Sequence, residues 1–361
     1  MSPHTIAADD IVRTRDDVVP GAREPLVVLE PLAAFLDAHG LGAGEPELAP
    51  LGDGHSCVTY ALTRGDVDVV LRRPPRGPLP PSTHDVLREA RVLRALSGRA
   101  PVPRILAVCE HPAVIGAPFY VMERIAGDVV TDSLPPLFDA AGARRAIGEA
   151  LVDALVEIHA VDWRAAGLDG FGRPDGYLAR QLKRFGGLWE TNRTRDVPAV
   201  DAVARWLGDR MPESPEATVV HGDYRLGNVV WAREPAPRLT GVLDWEMSTL
   251  GDPLADLGYL CLFWVQADDP GNAMTQSYGL TRARGFPSRE ALVARYEERS
   301  GRAIGDLRWY RVLALWKLIV FMEGNYRRAQ AGSTDDPYLT RFGEGIEGLA
   351  DHALALTRRA A

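Results

Sequence analysis

Hydrophobic and polar positions follow different periods in the two parts of this chain. In the first part, short runs rich in β-branched and aromatic residues alternate with turn residues, a pattern typical of strands. The turn Arg64-Gly65-Asp66 joins the runs SCVTYALT and VDVVLRR into a predicted hairpin, and RILAVCE and APFYVMER are two further strand candidates. We therefore expect a small β-rich region.

Helical periodicity interrupts this region twice and dominates the rest of the chain. Residues 28–39 predict a short helix ended by Gly40, and a capping box at Ser82–Asp85 predicts the start of a second helix. Later, apolar residues at helical spacing predict a long helix that ends near His159 and another over Arg308–Arg328. The second part of the chain is therefore expected to be mainly helical.

The patterns together predict an α+β fold of two lobes. A second set of strands, TVVHGD with NVVW and then LTGVLDW, lies within the helical part. We expect a flexible tail over 1–25, a small β-rich N-lobe over 26–124 and a larger α-helical C-lobe over 125–361. A cleft between two lobes is a natural place for a ligand.

The composition excludes several classes of protein. The 361 residues are 46% hydrophobic and 25% charged, and the net charge of −8 argues against a dedicated nucleic-acid-binding surface. Three cysteines far apart predict neither a disulfide framework nor a metal pair, so a cytoplasmic location is expected. The N-terminus has no apolar signal-peptide core, and the longest apolar stretch is about half of a membrane span, so we expect no membrane partner.

The strongest functional signal is the string HGDYRLGN, beginning at His221, followed by VLDWE, beginning at Val242. An HxDxxxxN string followed by an aspartate after a short strand has the spacing of kinase catalytic machinery. In that chemistry one carboxylate receives or orients the proton of the acceptor hydroxyl, while a second carboxylate and an amide oxygen hold Mg²⁺. The alternative is a polar turn in which these residues only shape the backbone, but the complete set favours catalysis.

The sequence resembles the aminoglycoside phosphotransferase/choline kinase-like family in these motifs and in the stretches GHSCVTY, VVLRRPPRGPLPPSTHDVLREARVL, VPRILAVCEHPAVIGAPFYVMERIAG, VVHGDYRLGNVVW and GVLDWEMSTLGDPLADLGYL. The likeness spans residues 51 to about 262 and is closest to the phosphotransferase domains associated with acyl-CoA dehydrogenases. It implies a protein-kinase-like two-lobed fold. It also implies an enzyme that uses ATP and Mg²⁺ to phosphorylate an alcohol group of a small molecule.

The resemblance also implies a role for the polar residues of the motifs. The implied catalytic and metal-binding positions are Asp223, Arg225, Asn228 and Asp244. Asp223 stands at the position of the catalytic base, and Arg225 stands near the transferred phosphoryl group, where a cation stabilises charge. The other two are the metal ligands. We expect His221 to shape the loop and Asp256 to anchor it.

The N-terminal part contains the positions implied to bind the nucleotide. They comprise a phosphate turn, a basic strand end with its acidic partner, and hinge backbone: Gly54, His55, Ser56, Arg72, Glu89, Glu123 and Ile125. Arg72 stands where relatives often have lysine, and it keeps a charge that can grip phosphate; Arg73 is the alternative for this role. Cys57 stands where related domains usually have asparagine, so a side-chain contact from that position is open.

The acceptor is a small molecule with a hydroxyl group that one sequence leaves unidentified. One set of residues is expected either to line the acceptor site or to belong to the core. Its members are Tyr177, Arg180, Gln181, Lys183, Arg184, Trp189, Trp264, Glu323, Tyr326 and Arg327. The basic segment ARQLKR favours an anionic hydroxy acid or hydroxyacyl-CoA over a polycation. The alternatives are a nucleotide-binding pseudokinase or sensor, an aminoglycoside or choline-type kinase, and a protein kinase. The oligomeric state is open.

Overall fold

The computed structural model describes residues 10–18, 21, 23–52, 57–77, 84–138, 141–234, 236–271, 276–332 and 342–358. The chain divides into two compact units, the first formed by Met1–Gly98 with Val102–Ala126 and the second by Arg99–Pro101 with Gly127–Ala361. The first unit is built on a β-sheet and the second mainly on helices. The expected α+β class is therefore confirmed.

The first unit contains a five-stranded antiparallel sheet in the order β3-β4-β5-β7-β6. Its strands are β3 (Glu47–Pro50), β4 (Val58–Arg64), β5 (Val67–Arg73), β6 (Ile105–Cys109) and β7 (Phe119–Glu123). The predicted hairpin is confirmed, because β4 and β5 pair along their whole length on either side of Gly65, which has φ +60°. The two further strand candidates are β6 and β7.

Helix α1 (Leu29–Ala38) closes the core of the first unit. Its Leu32 and Leu36 are fully buried and share one apolar cluster with Leu71 of the sheet. The helix ends before Gly40, as predicted, and Gly40 has φ +66°, in the region that favours glycine.

Part of the expected N-terminal tail has regular structure in the described residues. The short strand β1 (Ile11–Val12) pairs in parallel with β2 (Val27–Val28). Asp10 forms an ion pair with Arg76 at 2.5 Å. These contacts connect the start of the described chain to the sheet unit.

Helix α2 (Val86–Leu96) begins later than the sequence predicted. Its N-cap is Asp85, whose side chain accepts a hydrogen bond from the Arg88 N–H at 3.0 Å. The predicted capping box at Ser82 is therefore wrong as the start of the helix, since the Asp85 carboxylate already satisfies a free N–H of the first turn. Ser82 itself lies outside the described residues.

Two small antiparallel sheets occupy the second unit. Their strands are β8 (Asp128–Val129), β9 (Thr218–Val220), β10 (Val229–Trp231), β11 (Leu239–Val242) and β12 (Thr249–Gly251). Strand β10 pairs with β11 and β8, whereas β9 pairs with β12. The strands that we expected to form one set therefore belong to two separate sheets. Strand β12 has only three residues and no alternation that would have predicted it. The connections β9–β10 and β11–β12 both link the same two sheets.

Helices form the rest of the second unit. They are α3 (Ala141–His159), α4 (Tyr177–Asn192), α5 (Pro198–Asp209), α6 (Leu254–Phe263), α7 (Arg289–Ser300), α8 (Arg308–Gln330) and α9 (Phe342–Arg358). The predicted ends at His159 and near Arg308 are confirmed. Helix α8 contacts α4, α5, α6 and α9 and buries side chains on all sides, which is typical of a central helix. Among the described helices, none has the length and apolarity to cross a membrane.

Candidate active site

The loop from His221 to Asn228 connects β9 to β10 and depends on a glycine. Gly222 has φ +89°, and a Cβ atom added there would lie 2.8 Å from the carbonyl oxygen of Met247. Only a residue without a side chain combines this backbone conformation with so close an approach. Glycine therefore lets the loop pack against the segment between β11 and β12.

Three side chains surround the carboxylate of Asp223. Asn228 donates from Nδ2 to Asp223 Oδ2 at 2.7 Å and to the Asp223 backbone oxygen at 2.8 Å. Arg225 Nε lies 3.3 Å from Asp223 Oδ1. Burial, the Asp223 charge and a hydrogen bond to Asp223 raise the pKa of Tyr259 well above its ordinary value, which keeps its hydroxyl a donor. The half-buried carboxylate is thus held in one orientation.

The guanidinium of Arg225 lies near two aromatic rings. Its central carbon is 5.9 Å from the ring centroid of Phe263 and 5.6 Å from that of Tyr278. Burial alone would lower the pKa of Arg225, but nearby negative groups, Asp223 first and Asp244 among the others, raise it above its ordinary value. Arg225 therefore carries its positive charge next to the predicted base and one predicted metal ligand.

Asp244 and Asn228 lie at the same end of the β10–β11 pair. Asp244 follows β11 and has φ +66°, while the backbone N–H of Leu243 donates to the Asn228 carbonyl at 2.8 Å. Among the described residues, Asn228 uses Nδ2 for its side-chain hydrogen bonds, which leaves Oδ1 for a cation. Carboxylate and amide oxygens are the ligands that Mg²⁺ prefers, so these residues fit that ion.

His221 shapes the loop through both of its ring nitrogens. Nε2 lies 2.9 Å from the Leu243 carbonyl, which can only accept, and Nδ1 lies 3.2 Å from the Asp223 N–H, which can only donate. Nε2 therefore carries the hydrogen, and both nitrogens are engaged. The buried ring also packs on Trp245, with 4.6 Å between centroids. These contacts agree with the structural role expected for His221.

Asp256, in the first turn of α6, anchors the same loop. Its Oδ2 accepts from the His221 N–H at 2.6 Å, and its Oδ1 accepts from the Gly222 N–H at 2.8 Å. Oδ2 also lies 3.3 Å from His159 Nε2, and His159 Nδ1 lies 2.7 Å from the Tyr296 hydroxyl. Burial alone would raise the pKa of Asp256, but its hydrogen bonds and the nearby histidines hold it below its ordinary value. The expected anchor is confirmed.

In the first unit, Arg72 and Glu89 form the predicted ion pair. Arg72 Nε lies 2.9 Å from Glu89 Oε2, and Arg72 Nη1 donates to Thr59 Oγ1 at 3.1 Å. The Glu89 side chain is only 3% exposed. Arg73 instead donates from Nε to the Pro74 carbonyl at 2.9 Å, and burial lowers its pKa to about 10. Arg72, not Arg73, therefore occupies the paired position.

The other predicted nucleotide-binding residues are described only in part. Those of the phosphate turn lie outside the described residues: Gly54, His55 and Ser56. Glu123 ends β7 with an exposed side chain, and its backbone N–H donates to the Arg104 carbonyl at 2.9 Å. That N–H is therefore not available to a ligand. Ile125 follows the strand and is half-buried.

Comparison with known proteins decides the family. The family model described as "Phosphotransferase enzyme family" matches residues 47–310, well over half of the chain. The chain belongs to this family. Acyl-CoA dehydrogenase family member 11 of Rattus norvegicus is 34% identical over 97% of this chain and 45% of its own length. The chain spans between 30% and 45% of the length of the first curated relatives that it matches.

Solved structures show the same relationship. A Ralstonia eutropha protein provisionally named an aminoglycoside phosphotransferase is 30% identical, with a TM-score of 0.78 over 92% of this chain and 98% of that protein. The aminoglycoside phosphotransferase APH(4)-Ia, solved with AMP-PNP and hygromycin B, has a TM-score of 0.60 over 92% of this chain and 100% of its own, at 17% identity. The chain therefore has the kinase-like fold that the resemblance implied.

A pocket in the second unit lies beside the loop that bears Asp223. We name it the Lys317 pocket, and it is lined by Tyr177, Gly222, Ala255, Asp256, Tyr259, Tyr310, Leu313, Ala314 and Lys317. Gly222 directly precedes Asp223, and Tyr259 is the hydroxyl that hydrogen-bonds Asp223. This pocket therefore lies next to the predicted base.

Of the expected acceptor-lining residues, Tyr177 lines this pocket, whereas Trp264 and Glu323 are buried outside its lining. Trp264 is buried and donates from its indole nitrogen to the Pro287 carbonyl at 2.8 Å, so it belongs to the core. Glu323 is fully buried and accepts from the Thr194 hydroxyl at 2.8 Å. Sequence reasoning missed Lys317 and Tyr259, whose apolar helices gave no sign that one polar group faces the site.

Proposed function

We propose that this chain transfers the γ-phosphoryl group of ATP, with Mg²⁺, to a hydroxyl group of a small metabolite. The observation that carries the proposal is the carboxylate of Asp223, oriented by Asn228 and Arg225. The loop that bears it is fixed in turn by Asp256. A carboxylate held in one orientation is suited to receive a proton from a hydroxyl in the transition state.

Asp223 acts as the base in this proposal, and Arg225 stabilises charge. The acceptor oxygen forms its bond to the γ-phosphorus as its proton passes to Asp223, and the bond from that phosphorus to the β-phosphate oxygen breaks to release ADP. Negative charge then spreads over the equatorial oxygens of the phosphoryl group. Arg225 is held at the carboxylate and stays charged, so it is placed to stabilise those oxygens.

The metal ligands in this proposal are Asn228 and Asp244, with Asn228 contributing its amide oxygen. Mg²⁺ bound there would neutralise charge on the nucleotide phosphates. The hydrogen bond of Asn228 Nδ2 to Asp223 supports the assignment, because it turns Oδ1 of Asn228 away from the base. One amide thus orients the base and offers an oxygen to the cation.

The nucleotide is held by the first unit in this proposal. Arg72 takes the role of the phosphate-binding cation, and its ion pair with buried Glu89 fixes its direction. The phosphate turn over Gly54, His55 and Ser56 and the hinge at Glu123 and Ile125 complete the set. Since the Glu123 N–H is used within the sheet, Glu123 would contact the adenine ring of the nucleotide through its carbonyl. Structural neighbours solved with AMP-PNP or GDP support a purine nucleotide.

The acceptor proposed is a hydroxy acid or a hydroxyacyl-CoA. The curated relatives support it through their name, acyl-CoA dehydrogenase family members, since an acyl-CoA is a thioester. Lys183 and Arg184 on α4 also favour an anionic acceptor over a cationic one. Structural neighbours solved with aminoglycosides are at most distantly similar in sequence.

The test is a screen of hydroxy acids, hydroxyacyl-CoAs, choline, sugars and aminoglycosides with Mg²⁺ and ATP, read out as ADP release. Replacing Asp223 by Asn should lower turnover by about 10²–10⁴-fold, the range for loss of a general base, while nucleotide binding persists. Asp244→Ala should weaken Mg-nucleotide binding. Asp209→Asn, at an exposed helix end, is the matched control and should keep full activity. Full turnover by Asp223→Asn would refute the assignment, and nucleotide binding without any turnover would identify a sensor.

A further inference from the structure

Lys317 is an unusual cation for the middle of a buried helix. It lies on α8 between buried residues, lines the Lys317 pocket, and places its amine 4.8 Å from the ring centroid of Phe185. The whole chain has only two lysines among its 41 basic residues, Lys183 and Lys317. Among the described residues, no carboxylate lies at ion-pair distance from the Lys317 amine.

A second cation lies near the same aromatic ring. The guanidinium of Arg184 is 5.9 Å from the centroid of the same Phe185 ring, and it too has no ion-pair partner among the described residues. The pKa of Lys317 is lowered to about 8, chiefly by burial and also by the charge of Arg184, against the opposing charges of Asp256 and Asp223. The two cations are thus close enough to repel each other.

The nearest carboxylates do not neutralise this pair. Asp256 spends its two oxygens on the His221 and Gly222 N–H groups, and Asp223 is engaged by Asn228 and Arg225. A half-buried cation without a counter-ion is unfavourable, and an anionic ligand removes that cost. A polycationic acceptor would instead increase the cost of this unpaired positive charge. The Lys317 amine of the pocket therefore favours a negative group.

We propose that Lys317 binds an anionic oxygen group of the acceptor and so orients the acceptor hydroxyl towards Asp223. The inference rests on the proposed function, since it concerns the acceptor of that reaction. The anionic group is the carboxylate of a free hydroxy acid or a phosphate of its CoA thioester. Lys317 is a positioning and specificity residue, and it takes no part in the transfer of the phosphoryl group.

The first test measures binding without any phosphoryl transfer. Reductive methylation with isotopically labelled formaldehyde places an NMR probe on both lysine amines, and a Lys183→Arg variant assigns the two signals. We expect β-hydroxybutyrate or its CoA thioester to move the Lys317 signal and raise the pKa of its amine, while the neutral methyl ester does not. Movement by the free acid identifies a carboxylate, and movement by the thioester alone identifies a CoA phosphate. An unmoved Lys317 signal, or equal movement by the methyl ester, overturns the inference.

The second test uses the acceptor that the turnover screen identifies. Lys317→Met should raise KM for an anionic acceptor by about 10–100-fold, the effect of losing one charge-assisted hydrogen bond, with a smaller change in kcat. Lys317→Arg should restore much of the loss, and Arg205→Met, an exposed cation on α5, should match the wild type. Unchanged KM in Lys317→Met contradicts the inference but leaves the phosphotransferase assignment intact. NMR binding without any turnover supports the inference but contradicts the phosphotransferase assignment.

Discussion

Replacing Asp256 by Asn tests whether one buried carboxylate holds the catalytic loop. Asp256 receives three N–H groups: those of the His221 and Gly222 backbone and that of the His159 ring. An asparagine of the same shape has one accepting oxygen and one donating NH₂ group. His159 can change its tautomer, but a backbone N–H cannot reverse its role. Whichever way the amide turns, one loop N–H therefore faces a donor.

The structure sets the size of the effect. Leaving one buried backbone donor without an acceptor costs about 1–3 kcal/mol, and replacing a charged acceptor by a neutral one at the other N–H costs about 1 kcal/mol more. We therefore expect Asp256→Asn to lower the free energy of unfolding by about 2–4 kcal/mol. Turnover should also fall, because Asp223 directly follows the released segment.

Asp252 offers a matched control four residues earlier. It is as buried as Asp256, but it accepts from the Leu254 N–H at 2.9 Å and from the Tyr310 hydroxyl at 2.7 Å. A hydroxyl can accept as well as donate, so asparagine can satisfy both partners here. Urea unfolding followed by fluorescence should show a loss below about 1 kcal/mol for Asp252→Asn. Equal losses in the two variants would refute the reasoning.

Three further predictions follow from the same contacts. Gly222→Ala should lower the urea midpoint and abolish ADP release, because a Cβ would strain φ +89° and press on the Met247 carbonyl; a wild-type midpoint would contradict this. Arg72→Met should weaken nucleotide binding in calorimetry and lower stability by removing the cation beside the buried Glu89 carboxylate, whereas Arg72→Lys should retain both in large part. In the folded protein the pKa of Asp256 is below its ordinary value of 3.8, so the Asp256 carboxylate stabilises the fold fully above pH 3.8 and loses this effect as the pH falls further. The difference in unfolding free energy between wild type and Asp256→Asn, measured by urea unfolding, should shrink over the same pH range.

Local patterns predicted most of the regular structure. The hairpin of β4 and β5 has a clear alternation and a glycine turn, and α3 has an uninterrupted helical period. The capping error at Ser82 arose because two residues that can cap lie close together, and only the backbone path decides which of them faces the free N–H groups. Strand β12 was missed because its three residues become a strand only through pairing with β9.

The candidate chemistry of the loop could be predicted from the sequence for a related reason. Asp223, Arg225 and Asn228 lie within six positions, so their spacing alone brings them near one another. Their orientation was not visible, because it depends on partners far along the chain, such as Asp256 on α6 and Met247 after β11. Spacing along a loop limits distance, whereas the direction of a carboxylate depends on the groups that donate to it.

The sequence by itself predicted the α+β class, the candidate catalytic string and the pairing partner of Arg72, because each rests on local period or on a complete motif. Only the tertiary structure decided how the loop is anchored and which cation faces the pocket. Lys317 lies in an apolar helical run in which no period distinguishes it from the surrounding core. Its place beside the catalytic loop follows from the packing of α8 against α4 and α6, and packing of this kind joins residues that the sequence holds far apart.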